Sequence, residues 1–394
     1  MLDLDHFKEV NDTLGHGMGD RLLRDAASRI SSCVREADTV ARLGGDEFTV
    51  ILSSLDNEHD VNRVAECILH NLAKPFALEG EFAYISVSIG ISFYPSDAST
   101  VEQLVKNADQ AMYFAKQQGR NCYRFFTYDM ELSAQNRLQL ANDLYLALSK
   151  NQFQVHYQPI VDLRNGTVRK AEALIRWLHP ERGIVEPNEF IPIAEEVGLI
   201  VEIGDWVFGT VVEQIQLWQQ TLAKDFCISV NKSPAQINGK RHKGQDWLLH
   251  LTECGMAGDC LMVEVTEDLL MDTSSEVRER LLAYRNAGIQ VAIDDFGTGY
   301  SSLPYLQQCG ISFLKIDQSF VSRLSDNSSE QVLCEAIIVM AHKLGMTVIA
   351  EGIETEQQLA LLVAANCDFG QGYYFAKPMS ADALQAFVRE LSPV

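Results

Sequence analysis

Two adjacent carboxylates, Asp294 and Asp295, end an apolar run and lead into a glycine-rich turn within residues 289–303. Acids so placed can hold a hard cation or move protons, although a bare Asp-Asp pair is as readily a solvated turn, since aspartate is usually exposed. Val291 to Ile293 read as a short strand buried on both faces. Neighbouring side chains on a strand point to opposite faces, so two acids can serve one site only where the chain bends. Gly297 and Gly299 permit a tight return path over the acids, and Ser301 or Ser302 can cap a following helix.

Other polar residues fall at similar places. From Phe153 onward strands are expected near Val155–Ile160, Lys170–Trp177, Cys227–Asn231, Leu261–Val265, Ile289–Asp294, Phe313–Asp317, Thr347–Glu351 and Gly372–Lys377, with helices between most of them. This succession fits a TIM-type (β/α)8 barrel, whose first pair of strands reads as an antiparallel hairpin. Chemistry in such barrels sits where the strands end. Glu172, Asn231, Glu264, Glu267, Asp294, Asp295, Lys315, Asp317, Glu351 and Gln371 lie at or near those ends. Any one of them is more readily a structural hydrogen-bonder than a ligand; the joint placement carries the argument.

Acids converging on one barrel mouth repel one another, and divalent cations relieve that conflict. Oxygen donors favour Mg²⁺ or Mn²⁺ over a softer metal, and two such ions about 3.5 to 4 Å apart suit phosphoryl chemistry. Lys315 alternates with Asp317, so both can face the barrel interior, where the amine could hold or deprotonate an attacking water. The competing role for Lys315 is a salt bridge to Asp317 or Glu351.

Composition sets outer limits. The chain has 394 residues, 47% of them hydrophobic, and a net charge of −22. That length allows two or three domains with well-formed cores. The charge argues against nucleic-acid or anionic-membrane binding. The nine cysteines occur without paired metal-ligand spacing, as expected of thiols in a reducing cytoplasm. No apolar run approaches membrane-spanning length, and with Asp3 and Asp5 so near Met1 no secretory signal is expected.

The first region, residues 1–127, reads as an α/β sandwich: a strand end at Met1–Leu4, helices over 19–35, 61–72 and 101–118, a hairpin over Ala41–Leu52, and a strand over Ala83–Phe93. The turn at Gly44–Glu47 carries a two-glycine hairpin signal and sets Asp46 and Glu47 near Asp3. Residues 128–150 are expected to form an amphipathic linker helix, with Leu132, Leu138, Leu144, Ala147 and Leu148 among its apolar positions, ahead of the barrel at 151–394.

Residues 3–12, Gly15, His16, Gly19, Asp20, the run Gly44–Phe48, Lys116 and Gly119–Asn121 resemble the GGDEF diguanylate cyclases, which condense two GTP into cyclic di-GMP. The resemblance implies Mg²⁺ on Asp3, Asp46 and the Leu4 carbonyl, with Glu47 beside them. It implies guanine recognition by Asn11 and Asp20, triphosphate contacts from Lys8, Lys116 and Arg120, and an inhibitory product site at Arg35 and Asp38. The family's leading helix and most of its first strand are not in this chain. A central strand and a packing helix are therefore expected to be missing, leaving an impaired domain that serves as a regulator.

Residues from about 135 to 392 resemble the EAL phosphodiesterases, which open cyclic di-GMP to linear pGpG. By resemblance Glu172, Asn231, Glu264 and Asp294 hold one metal, and Asp294, Asp295 and Glu351 serve the second. Lys315 is the implied base, Gln371 orients the water, and Glu267 braces the loop after Asp295. Gln158, Arg176 and Asp317 are implied substrate contacts, and Phe296–Ser302 corresponds to the family's loop for metal response and dimerisation. The leading expectation is a cytoplasmic, homodimeric bacterial phosphodiesterase with a regulatory GGDEF domain that takes GTP or product. The alternatives are a bifunctional cyclase and phosphodiesterase, and a receptor that binds the dinucleotide without cleaving it.

Overall fold

A computed structural model describes residues 1–53, 55, 58–238, 247–267, 269, 275–297, 306 and 309–391. The chain forms two compact units, Met1–Gln139 and Leu140–Val394.

The first unit contains β1 (Leu2–Asp5), β2 (Thr39–Gly44), β3 (Glu47–Ile51), β4 (Phe76–Leu78), β5 (Glu81–Ala83), β6 (Ser86–Ile91) and β7 (Tyr123–Phe125). Strands β2, β3, β1, β6 and β7 form one sheet in that order, and β4 pairs with β5. The expectation of a missing central strand is corrected here, because β1 lies in the middle of the sheet, antiparallel to β3 and β6. Leu2 and Leu4 alternate with Asp3 and Asp5 along it, and all four are buried. The leucines enter a core with Leu22, Leu23, Ala26, Ile30, Phe48 and Val87.

The long helix spans His16–Ser31 and is preceded by a helix over Phe7–Leu14 that was not expected. Phe7 is buried there, and Val10 and Leu14 pack on the same core, a spacing of three and seven that reads as one helical face. Gly15, at φ 85°, separates the two helices. The strand expected over Ala83–Phe93 is interrupted, since Ala83 ends β5 and β6 begins at Ser86.

The second unit contains β8 (Phe153–Asp162), β9 (Val168–His179), β10 (Gly183–Val185), β11 (Cys227–Asn231), β12 (Leu261–Thr266), β13 (Gln290–Phe296), β14 (Phe313–Ile316), β15 (Thr347–Ala350) and β16 (Phe369–Gly370). β9, β11, β12, β13, β14, β15, β16 and β8 close into an eight-stranded barrel through the β8–β9 pairing, with β10 added at the edge of β9. β8 runs antiparallel to both of its neighbours, as the hairpin reading anticipates. The last strand is Phe369–Gly370 rather than Gly372–Lys377. Gly372 approaches the Ile353 backbone too closely to admit a Cβ, and the chain turns there.

Alternation on each strand sorts side chains by depth. Along β12, Val263 and Val265 belong to the large core that also holds Val291, Ile293, Leu314 and Val348. Met262 belongs to a separate small cluster with Ile160, Cys227, Ala292, Phe313 and Ile349. Glu264, two residues after Met262, continues the Met262 face toward the C-terminal ends of the strands. An apolar layer thus underlies a polar one.

The helix over Tyr128–Ala147 forms close to where it was expected. Its apolar positions are only partly covered: Leu144 and Ala147 are buried, whereas Leu132 and Leu138 are exposed.

Candidate active site

Parallel register brings the acids level. Asn231 is opposite Glu264 across β11 and β12, and Ser229 is opposite Glu172 across β9 and β11. Glu351 follows β15 and donates its backbone N–H to the Ile316 carbonyl; Gln371 follows β16 and donates to the Ala350 carbonyl. The side chains at these ends therefore converge although they come from distant parts of the chain.

Lys315, on β14 and 1% exposed, occupies the centre. Its Nζ lies 2.7 Å from Glu264 Oε2, 2.6 Å from Glu351 Oε1, 3.2 Å from Asp294 Oδ1 and 3.5 Å from Glu172 Oε2. Burial alone would lower its pKa, but Asp294, Glu172, Glu264 and Glu351 together hold it well above the ordinary lysine value. Those four carboxylates favour its ammonium form, a hydrogen-bond donor. Of the two partners weighed for a Lys315 salt bridge, Glu351 is in place at 2.6 Å, while Asp317 caps the helix Gln318–Val321 by accepting from the Ser319 N–H.

Around this ammonium the carboxylates are held unequally. Glu172 is buried, which raises its pKa, yet Lys315 and donated hydrogen bonds from Gln371 and Asn231 bring it below the usual value. The Asn231 amide reaches Glu172 Oε1 at 2.7 Å, and Gln371 Nε2 reaches Glu172 Oε2 at 2.6 Å. Glu264 is pushed well above its ordinary value, by burial first and then by the charge of Glu172. Burial, together with the charges of Asp294 and Glu172, pushes Glu351 up to about 8. Burial and the neighbouring Asp294 and Asp317 push Asp295 up to about 6.

The expected bend between the two aspartates is present. The β13–β14 register shifts between Ile293 and Phe296, and Asp295 adopts φ 54°, in the left-handed region. This bulge turns both acids toward Glu351, and one oxygen of each of the three lies within 4.8 Å of the others. Gly297, at φ 100°, donates its backbone N–H to Glu267 Oε2 at 2.8 Å, so Glu267 anchors the segment immediately after the bulge. Gly299, Ser301, Ser302 and the rest of that loop lie outside the described residues.

The donor set fits hard cations. Among the described residues Glu264 Oε1 and Gln371 Oε1 are buried with no hydrogen-bond partner, so each keeps a lone pair turned into the polar layer. Among the described residues the candidate ligands at this end of the barrel, Glu172, Asn231, Glu264, Asp294, Asp295 and Glu351, all offer oxygen, the preference of Mg²⁺ or Mn²⁺.

Gln158 accepts from Gln371 at 2.9 Å and donates to the Ala376 carbonyl, which ties β8 to the segment after β16. Arg176 lies four residues after Glu172 on the same face of β9; its Nη1 donates to the Ile175 carbonyl and its Nε lies 4.0 Å from Glu186. Sequence reasoning passed over Ser229, a buried hydroxyl with no partner among the described residues. The signal was its spacing of two from Asn231, which puts both on one strand face.

In the first unit, the Lys116 Nζ lies 2.7 Å from Asp3 Oδ2, and the Leu4 N–H donates to the Asp46 carbonyl. Asp3 is raised above its ordinary value by burial, against the pull of Lys116. Glu47 is the strand partner of Asp3. Asp3, Leu4, Asp46, Glu47 and Lys116 are thus brought together. Asn11 lies over Gly19, whereas Asp20 lines a separate cavity with Arg24 and Arg42. Lys8 and Arg120 are exposed. Arg35 donates its backbone N–H to Asp38, while its guanidinium points to Asp60 at 3.8 Å. Asp5, not singled out beforehand, accepts from the Ser86 and Ser88 hydroxyls and the Asn121 N–H. Its signal was the Ser86, Ser88 alternation.

Residues 141–378 match the EAL domain family, and residues 1–122 match the family described as diguanylate cyclase, GGDEF domain. The chain is 42% identical over 392 residues to the bifunctional diguanylate cyclase/cyclic di-GMP phosphodiesterase MucR of Pseudomonas aeruginosa, covering 98% of this chain and 56% of MucR. It is 39% identical over 389 residues to the cyclic di-GMP phosphodiesterase NbdA of the same organism, covering 98% of this chain and 49% of NbdA. The chain thus spans about half the length of these relatives. The solved PaMucR phosphodiesterase in complex with c-di-GMP superposes with a TM-score of 0.59 at 38% identity, covering 62% of this chain and 99% of that one. No helix among the described residues is long and apolar enough to cross a membrane. The chain therefore belongs to the EAL domain family and carries a GGDEF domain ahead of it, the pairing found in the GGDEF–EAL proteins of cyclic di-GMP signalling.

Proposed function

We propose that this chain is a cyclic di-GMP phosphodiesterase that opens its substrate to linear pGpG, acts in the cytoplasm as a homodimer through its barrel, and carries its GGDEF domain, residues 1–127, as a regulator. The observation that carries this reading is the ring of Glu172, Glu264, Asp294 and Glu351 around Lys315, set at the strand ends of an EAL barrel.

Glu172, Asn231, Glu264 and Asp294 would hold one hard cation, and Asp294, Asp295 and Glu351 the second. When bound, such a pair supplies a water that is nucleophilic at neutral pH and neutralises charge building on the phosphoryl group. The protein's own groups do the rest. Lys315, an ammonium held among carboxylates, donates to the attacking water and fixes its direction. Gln371 has committed its N–H groups to Glu172 and Gln158, so its free Oε1 can accept from that water and orient it. Arg176 can leave the Ile175 carbonyl and offer a planar fork to a phosphate. Glu267 keeps the Asp295 bulge in place through Gly297. Gln158 and Asp317, both buried, would contact the substrate.

A second reading, a bifunctional enzyme, draws support from the preserved Asp3, Asp46, Glu47 and Lys116 cluster and from the activity named for MucR. Chromatographic product analysis with cyclic di-GMP and with GTP, each in Mg²⁺, Mn²⁺ and Ca²⁺, separates the readings. Conversion of cyclic di-GMP to pGpG, lost in Glu172→Ala, is the expected result. A product from GTP that disappears in Asp46→Ala would establish the bifunctional enzyme. Tight binding of cyclic di-GMP with no turnover in any of the three metals would leave a receptor and sink the hydrolase.

A further inference from the structure

In the first unit, away from the carboxylates, Cys33 and Cys67 bring their sulfurs to 2.7 Å. Cys33 sits in the turn that follows helix His16–Ser31, and Cys67 lies on the helix Glu58–Leu72. Asn71, one helical turn after Cys67, donates its amide to Cys33 Sγ at 3.2 Å and to Cys67 Sγ at 3.6 Å. Both cysteines are partly exposed, whereas Cys227, Cys260, Cys309, Cys334 and Cys367 are buried. No other contact between two cysteine sulfurs occurs among the described residues.

We propose that Cys33 and Cys67 are a reversible thiol–disulfide modification site, oxidised by a peroxide, that pins the turn carrying Arg35 and Asp38 to the helix Glu58–Leu72. A covalent S–S bond is about 2.05 Å long, so the two sulfurs need to close only a small gap. Two residues after Cys33, Arg35 already reaches that helix through Asp60 at 3.8 Å, and the cross-link would convert this loose contact into a fixed one.

The chemistry balances with hydrogen peroxide as oxidant. One thiolate attacks a peroxide oxygen, the O–O bond breaks, and a sulfenic acid forms with loss of water. The second sulfur then attacks the sulfenic sulfur, the S–O bond breaks, and a second water leaves. Two thiols have lost two electrons and two protons to one peroxide. Burial and the adjacent Cys67 thiol push Cys33 up to about 11, which makes it a weak first nucleophile toward the peroxide. A dithiol reductant reverses the sequence by exchange.

The test uses the full chain, treated with a few equivalents of hydrogen peroxide and then alkylated under denaturing, non-reducing conditions. Peptide mapping should find Cys33 and Cys67 in one intramolecular cross-linked species lighter by two hydrogens, removed by dithiothreitol. The five buried cysteines should remain fully alkylated. Cys67→Ser and Cys33→Ser should each abolish the cross-link, and hydrogen exchange at residues 33–38 should slow at least severalfold in the oxidised wild type. Full alkylation of both cysteines after peroxide, their conversion to sulfinic acid without a link, or a link found only between two copies would each overturn the proposal. The wild-type map decides this even if a variant fails to fold.

Discussion

Lys315 and Glu264 meet at 2.7 Å inside the barrel, on strands 51 residues apart, with side-chain exposures of 1% and 0%. An ion pair so buried is costly to form and more costly to break, because removing one partner strands the other in a medium of low polarity. It draws three further carboxylates into one charge system, and the behaviour of the site follows from that.

Replacing Lys315 with Met removes the cation that, among the described residues, offsets Glu172, Glu264, Asp294 and Glu351. Without divalent metal the barrel should lose about 3 to 5 kcal/mol of stability. Hydrolysis of cyclic di-GMP should fall by about 10²- to 10⁴-fold, the usual loss for a group that positions or transfers a proton. Chemical denaturation in chelator and steady-state rates in Mg²⁺ check the two parts. A Lys315→Met protein with wild-type turnover would remove Lys315 from the mechanism.

Acidity should tune stability in a stated direction. Glu351 is raised to about 8 and Asp295 to about 6, both above their values in an unfolded chain. At intermediate pH the folded state therefore holds protons that the unfolded state has released, so metal-free stability falls as pH rises from about 5 to about 8. Metal binding must expel those protons, so the stabilisation produced by Mg²⁺ should grow over the same range. Thermal unfolding in chelator and in excess Mg²⁺, across pH, gives both slopes. Glu351→Gln should flatten the first, and an unchanged slope in that variant would assign the effect to other groups.

Glu267 acts at one remove, through the backbone of Gly297. Glu267→Ala should cost about 0.5 to 1.5 kcal/mol by removing its hydrogen bond to the exposed Gly297 N–H. It should weaken Mg²⁺ more than it weakens dinucleotide binding measured in chelator, while Glu267→Gln, which can still accept the hydrogen bond, should recover most of the loss. Calorimetric titration of the metal alone reads this, and equal losses in both variants would show that the charge matters rather than the hydrogen bond.

Gly372 follows Gln371, and a Cβ there would come within 2.1 Å of the Ile353 carbonyl oxygen. Gly372→Ala should shift the chain at Gln371, slow turnover by at least tenfold and cost about 1 to 3 kcal/mol from overpacking. The measurements are activity and denaturant midpoint. Unchanged activity alongside a lowered midpoint would confine the effect to packing.

The sequence alone determined the order of strands in the barrel, the hairpin at its start and the identity of the acids at the strand ends. Each of these depends on local signals: apolar runs, glycine turns and an alternation of two. The Asp294–Asp295 bend was also local, because two adjacent side chains cannot share a site on a straight strand. Other features had no local signature. That Leu2–Asp5 is the central strand depends on partners 44 and more residues away, and the chain turns out of the short β16 where Gly372 closely approaches Ile353. Tertiary structure also sets the surroundings that favour a charged Lys315. A lysine on a strand can pair, donate or act as a base, and only the four carboxylates that distant strands bring around it select the ammonium. Proximity in space, unlike proximity along the chain, is what moves a pKa.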